Sequence, residues 1–266
     1  MRTVAIIQAR VGSSRLPNKV FADICGKPML LRVVERARRA ATLDDVVVAT
    51  SLAEADYRIV QWCQASGVRV YRGGQTLHQW CRANGVLPPD DATARNDVLG
   101  RYYDVAWQVS ADVIVRLTAD CPLLDPRIVD EVVAALGHFG GDYASNVEPP
   151  PFPDGLDVEV FTADALRRAY AEARLPSERE HVTPWMRANL RTVNVVNDID
   201  LSALRWTVDD ARDLAFVCAV YAELGEAPFG MAEVLALLER RPELAELNAG
   251  IRRNEGYELS LKEDGA

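Results

Sequence analysis

Ala5–Lys19 reads A-I-I-Q-A-R-V-G-S-S-R-L-P-N-K, an apolar run that opens into a loop carrying Arg10, Arg15 and Lys19. Thr3 to Ile7 is short, rich in β-branched residues and apolar beyond its first position, as a strand buried on both faces of a parallel sheet must be. The residues that follow cannot continue a strand or begin a helix. Gly12 permits a backbone geometry closed to other residues, Ser13 and Ser14 favour bonds to their own backbone, and Pro17 fixes its φ while holding Leu16 extended. The pattern predicts a tight loop leaving the carboxyl end of the first strand, the edge at which open α/β sheets place ligands. Arg10, Arg15 and Lys19 would there converge on one anion.

Leu30, Val33, Val34 and Ala37 recur at helical spacing, so 29–40 reads as an amphipathic helix opened by Pro28. Residues 45–50, D-V-V-V-A-T, form a second buried strand, 53–66 a helix ended by Gly67, and 68–71 a third strand. This β-α-β-α-β order demands right-handed crossovers, giving an α/β fold with a mostly parallel sheet and helices on both faces. Further helices are predicted over 96–108, 126–136, 163–174, 178–189, 211–224 and 231–240, with strands over 113–117, 143–146, 158–161, 193–196 and 204–208. Gly137, Gly140 and Gly141 suggest a turn. One domain over 1–266 accommodates them, and the proline run 149–153 divides a nucleotide-binding half (1–148) from an acceptor-binding half (149–224) and a helical tail (225–266). Residues 75–95 lack any period and read as an insertion. Within it, His78 and Cys81 supply too few ligands for a zinc site.

Composition excludes several classes. The 266 residues are 49% hydrophobic with a net charge of -9, unlike a general nucleic-acid binder, whose affinity comes from Lys and Arg on phosphates. No apolar run is long enough to span a bilayer, and no cationic and apolar leader precedes the first strand, which points to a cytoplasmic chain. Five cysteines without C-x-x-C spacing fit a reducing compartment.

A Gly/Ser loop with Arg and Lys heads suits a polyphosphate, so a nucleoside triphosphate is the natural candidate. The loop is neither a Walker A motif nor a dinucleotide G-x-G-x-x-G. Three cations in a surface loop can also simply be solvated. Thr50 and Ser51 end the second strand on the same edge and would border a nucleobase. Thr118, Ala119 and Asp120 end the apolar strand 113–117, where a carboxylate can hold Mg2+ against phosphates, and Asp209, after 204–208, supplies a second one. Cys121 has no histidine nearby in sequence to activate it.

Q-A-R-V-G-S-S-R-L-P-N-K resembles the signature of the sugar-acid cytidylyltransferases, the CMP-sugar synthetase-like enzymes, and most closely their spore-coat polysaccharide branch. The likeness recurs in order in A-T-S at 49–51, D-V-L-G-R-Y-Y at 97–103, R-L-T-A-D-C-P at 116–122, F-P-D-G-L-D-V-E-V-F at 152–161, E-R-E-H-V-T-P at 178–184, L-R-W-T-V-D at 204–209 and R-N-E-G-Y at 253–257. It implies a Rossmann-like nucleotide-diphospho-sugar transferase fold and transfer of CMP from CTP to an anionic acceptor, a sugar acid or related polysaccharide precursor, with release of pyrophosphate. It implies nucleotide contacts from Gln8, Ala9, Arg10, Gly12, Ser13, Ser14, Lys19, Arg101, Thr118 and Ala119, with Arg10, Lys19 and Arg15 as catalytic cations. Asp154, Gly155, Glu159, Glu180 and His181 would line the acceptor pocket, although Asp154-Gly155 also suits a purely structural turn. Ala119 stands where family members commonly have glycine, adding one methyl. Members are often homodimers. The rival reading is a glycosyltransferase of the same sheet type using a nucleotide sugar, but its D-x-D candidate, Asp198-Ile199-Asp200, lies beside Ser202 in a turn-like setting.

Overall fold

The computed structural model describes residues 1–13, 15–73 and 96–251, together with Arg253, Tyr257, Leu261 and Asp264. Ser14, the insertion 75–95 with His78 and Cys81, and Asn254–Gly256 of the tail motif lie outside the described residues. The strands are β1 (Thr3–Gln8), β2 (Asp23–Ile24), β3 (Lys27–Pro28), β4 (Asp45–Thr50), β5 (Val70–Arg72), β6 (Val113–Thr118), β7 (Tyr143–Ser145), β8 (Glu159–Thr162) and β9 (Thr192–Asn194). The helices are α1 (Met29–Ala37), α2 (Tyr57–Ala65), α3 (Val98–Gln108), α4 (Pro126–Phe139), α5 (Ala163–Glu172), α6 (Pro176–His181), α7 (Pro184–Asn189), α8 (Ala211–Leu224) and α9 (Met231–Arg240).

A seven-stranded sheet runs in the order β5-β4-β1-β6-β8-β7-β9. β1 pairs parallel with both β4 and β6, and β4 parallel with β5. β8 enters antiparallel between β6 and β7, and β9 closes the edge parallel to β7. The sheet is therefore mostly parallel, and it is continuous across the proline run. Alternating side chains explain why β1 is apolar from Val4 to Ile7. Ala5 and Ile7 join one core with Leu30 and Val33 of α1, Val129 of α4 and Val217 of α8. Val4 and Ile6 join the other with Leu99 and Tyr102 of α3 and Leu166 of α5. Helices thus cover both faces, and burial of both sets drives the three-layer arrangement.

The winding direction reverses between β1 and β6. Gln8 lies opposite Thr118 in the ladder, and Ala119 N–H donates to Gln8 O at 3.1 Å. The loops after these two strands therefore leave the sheet side by side at its carboxyl edge, the switch point of the fold.

Four local expectations are corrected. The predicted helix 178–189 is two short helices, α6 and α7, because the chain breaks at Val182 (φ 73°, ψ -50°), where Thr183 N–H donates to His181 O at 2.8 Å. Residues 204–208 are not a sheet strand. They run extended beside Asp154, which bridges to Arg205, and Val208 N–H donates to Asp120 O at 2.8 Å. Gly137 lies inside α4, whose left-handed terminator is Gly140 at φ 63°. Gly12 is not the residue in the left-handed region; Asn18 is, at φ 59°. Asn tolerates that region because its short polar side chain bonds locally.

Candidate active site

The loop from Ala9 to Asn18 is folded by its own backbone and by one buried carboxylate. Val11 N–H donates to Asp56 Oδ1 at 2.7 Å, and the Ser51 hydroxyl donates to the other oxygen of the same carboxylate. Ser13 N–H and Asn18 N–H both donate to Val11 O, at 3.0 and 3.3 Å, which turns the chain back on itself. Asn18 then starts the 3-10 turn Lys19–Phe21. The Lys19 side chain emerges toward the loop after β6.

Lys19 Nζ sits between two carboxylates. It lies 2.7 Å from Asp120 Oδ2 and 2.9 Å from Asp209 Oδ1, and it also donates to Val208 O at 3.0 Å. Burial alone would weaken the ammonium, but the two aspartates outweigh it and raise the Lys19 pKa. Burial likewise works against the Asp120 carboxylate, yet the Lys19 charge and hydrogen bond bring it down to about 2. The Asp120 carboxylate thus stays ionised at neutral pH beside the Lys19 ammonium.

Asp209 is held from three sides. Besides Lys19, Arg15 Nη2 lies 3.1 Å and Arg205 Nη2 2.8 Å from its Oδ2. Arg205 also pairs with Asp154 at 2.7 Å and with the fully buried Asp213 at 3.0 Å. Asp213 stands in the first turn of α8, where it accepts N–H bonds from Asp209 and Asp210 at 2.9 and 3.2 Å. It therefore caps the helix and aims Asp209 in one stroke, with its charge at the favourable end of the helix dipole.

The cleft of about 310 Å³ over these groups continues toward β8 and α6, within the range of small-ligand sites. Its far wall is charged. Arg116 and Glu159, opposite one another in the β6–β8 ladder, form a buried ion pair. Glu159 also accepts from Tyr143 Oη at 2.7 Å and Thr183 Oγ1 at 2.5 Å. Burial opposes its ionisation, but Arg116 and these two donors bring its pKa below the usual value. Asp157 pairs with Arg253 from the tail. Burial, added to the nearby Asp154 and Glu159, outweighs Arg253 and pushes the Asp157 carboxyl up to about 7. The His181 ring meets Tyr257 edge-on at 4.9 Å, and burial, then Arg116, lowers its pKa. The γ-turn at Val182 is what points His181 and Thr183 into the same cleft. A β-branched residue at positive φ is strained, and such strain persists where surrounding structure holds it.

Of the sequence-predicted residues, Gln8, Arg15, Thr118, Asp120, Asp154, Glu159, His181 and Asp209 line this one cleft. Lys19 reaches it through its contacts with the aspartates. Arg10 stands apart from Lys19, 4.0 Å from Glu180 Oε1. It is close enough to the buried Arg101 to help lower that residue's pKa, behind the larger effect of burial. The three loop cations do not converge on one point: Arg15 and Lys19 meet at Asp209, while Arg10 faces Arg101 and Glu180. Ala9 is buried with its N–H on Ala49 O. Gly12 borders open space, with no heavy atom near where a Cβ would stand. Ser13 accepts from Leu16 N–H at 3.3 Å, and Ala119 is buried. Among the described residues the buried Thr50 hydroxyl and the Gln8 side-chain oxygen Oε1 have no hydrogen-bond partner. The Ser51 hydroxyl is already engaged by Asp56, so it supports the loop rather than facing the cleft. Gly155 is needed for geometry, since at φ 106° its added Cβ would lie 2.5 Å from Thr207 N. Cys121 is buried, and burial and the adjacent Asp120 raise its thiol pKa well above the usual value, unsuited to a nucleophile.

Sequence reasoning missed Arg116, Asp157, Arg205, Asp213 and Arg253. Three carried a signal: Arg116 and Arg253 are basic residues beside acidic motifs, and Asp213 follows Asp210 at capping-box spacing.

Residues 4–76 match the family model described as cytidylyltransferase. The spore coat polysaccharide biosynthesis protein SpsF of Bacillus subtilis is 30% identical over 251 residues, covering 90% of this chain and 95% of that protein. The chain belongs to the cytidylyltransferase family. The 3-deoxy-manno-octulosonate cytidylyltransferase of Acidovorax sp. is 32% identical over 183 residues, 66% of this chain and 62% of that one. Among solved structures, a cytidylyltransferase from Leptospira borgpetersenii serovar Hardjo-bovis superposes with a TM-score of 0.82 at 28% identity, covering 95% of this chain and 100% of that one. The cytidylyltransferase fold therefore extends far beyond the segment matched by the family model. No described helix is long and apolar enough to cross a membrane.

Proposed function

We propose that this cytidylyltransferase transfers CMP from CTP to an anionic acceptor, a sugar acid or related polysaccharide precursor, with release of pyrophosphate. The observation that carries the reading is Lys19 Nζ lodged between Asp120 and Asp209 at 2.7 and 2.9 Å. An acceptor oxygen attacks the α-phosphorus, the bond to the bridging oxygen breaks, and pyrophosphate departs with that bond's electrons. Such a reaction asks for alignment and charge neutralisation more than covalent help. Arg15 and Lys19 neutralise charge on the leaving group, Arg10 and Arg101 attract the triphosphate, and Arg116, Arg253 and Arg187, which lines the same cleft, give the far wall its affinity for an anion.

Asp120 and Asp209 fit Mg2+, since one ammonium already touches an oxygen of each, and two carboxylates with phosphate and water oxygens are its usual ligands. A metal held by these two carboxylates would take its remaining ligands from the nucleotide and from water. Bound there, Mg2+ would neutralise phosphate charge and polarise the α-phosphate. A homodimer is the proposed working unit, which light scattering checks. The activity test is a pyrophosphate-release screen of CTP, UTP, ATP and GTP against a panel of sugar acids. Release with CTP and an anionic acceptor supports the reading, and transfer from a nucleotide sugar without pyrophosphate overturns it.

A further inference from the structure

The turn joining β2 to β3 is built from a residue that ill suits it. Cys25 and Gly26 both have positive φ, 50° and 83°, the two-residue hairpin turn in which Asn-Gly or Gly-Gly is usual. Cys pays a steric penalty there through its Cβ, so the departure asks for a reason. The turn is firmly held. Asp23 Oδ2 accepts from Gly26 N–H at 3.2 Å, and Arg32 Nη2 donates to Ile24 O and Cys25 O at 2.7 and 3.0 Å. The Arg32 guanidinium in turn lies 4.3 Å over the Tyr221 ring of α8. Held this way, the exposed Cys25 places its Sγ 3.6 Å from Cys218 O on α8, while Cys218 Sγ lies 3.6 Å from Asp23 O in β2. Each thiol rests on the other's backbone segment. Cys63 and Cys121, by contrast, are buried.

We propose that Cys25 and Cys218 are a reversible dithiol–disulfide pair that closes by exchange with a small disulfide such as oxidised glutathione. The Cys25 thiol, the more exposed, loses its proton and attacks one sulfur of the small disulfide, releasing one glutathione thiolate and leaving a mixed disulfide. Burial holds the Cys218 thiol protonated longer. It then loses its proton, attacks the Cys25 sulfur and releases the second glutathione. Two protein thiols have lost two protons and two electrons, and one small disulfide has become two thiols. β2 follows the turn that bears Lys19, and α8 opens with the Asp213 that aims Asp209. The bond therefore clamps together the two segments that meet in the cleft.

The full chain, reduced and then incubated with oxidised glutathione, is alkylated and mapped without reductant. The expected result is a peptide joining Cys25 to Cys218, a mass lower by two hydrogens, full reversal by dithiothreitol, and a higher thermal midpoint in the oxidised protein. Cys218→Ser should stall as the glutathione adduct of Cys25, with no gain in thermal midpoint. A wild-type protein that accumulates that adduct while Cys218 stays alkylatable, or that joins Cys25 to Cys81 instead, overturns the pairing. An unchanged thermal midpoint in protein that has formed the bond overturns the clamp.

Discussion

Lys19 and Asp120 stand 101 positions apart in the chain, yet Lys19 Nζ lies 2.7 Å from Asp120 Oδ2. They meet because the loop after β1 and the turn after β6 leave neighbouring strands in the same direction. Asp209 joins them from a third segment. Each carboxylate is stabilised by the same ammonium, so the trio behaves as one unit that a triphosphate and its cation would rearrange rather than assemble.

Lys19→Ala removes the only group that touches both carboxylates among the described residues. Loss of a donor that neutralises transition-state charge costs about 10²- to 10³-fold in turnover. The variant should keep its fold by circular dichroism and lose activity to that extent in the CTP and pyrophosphate-release assay. A rate near that of the wild type would remove Lys19 from the mechanism.

Asp120→Asn keeps the shape of the side chain and its contact with Lys19 while removing one negative charge from the proposed Mg2+ site. Half-maximal activity should then need about tenfold or more Mg2+, as disturbed metal sites generally do. An unchanged metal titration would argue that Asp120 serves only to seat Lys19.

Asp157 gives the cleft a pH dependence near neutrality. Its folded-state pKa of about 7 lies above the usual carboxylate value, so between about pH 4 and pH 7 the folded chain holds more protons than the unfolded one. The stability contributed by the neutral form is complete below about pH 4 and is lost as pH rises through 7. Because 31% of the side chain still reaches solvent, the effect should be modest. Asp120 acts in the opposite direction and in a different window: its contribution is present above about pH 4 and fades as pH falls toward 2. Thermal midpoints measured from pH 4 to 8 should decline less for Asp157→Asn than for the wild type, and parallel curves would show that Asp157 does not titrate there.

The alternation of the main strands and helices from β1 to β6, the parallel half of the sheet and the switch-point position of the loop were legible in the sequence, because burial on two faces leaves an unmistakable apolar run; the β2–β3 hairpin, with two residues in each strand, was too short to show a period. Local patterns could also place Lys19, Asp120 and Asp209 at element ends. They could not say that 204–208 leaves the sheet, since an extended segment bonded to a turn has the same apolar alternation as a strand. The break near Val182 had a local signal in Pro184, which cannot continue a helix, disfavours helical geometry at Thr183 and stands in the first turn of α7; what only tertiary packing supplies is a buried valine held at positive φ. Arg205 shows the deepest limit. An arginine between Leu204 and Trp206 has no local signature of a role: Asp209 and Asp213 follow it closely, but nothing local says that it turns toward them or that Asp154, 51 positions away, joins them.

Those partners make Arg205 the residue whose loss should cost most in stability. Its guanidinium answers Asp154, Asp209 and Asp213, and Asp213 is wholly buried. Arg205→Met retains much of the volume but leaves a buried carboxylate without its cation, a change that typically costs about 3–5 kcal/mol. Replacing both partners removes the stranded charge, so the double variant Arg205→Met, Asp213→Asn should recover part of that loss even though two native contacts are gone. Urea denaturation of the wild type, both single variants and the double variant measures the coupling directly. Strictly additive losses would mean that Arg205 and Asp213 stabilise the fold independently, and the account of Asp209 being aimed through them would fail.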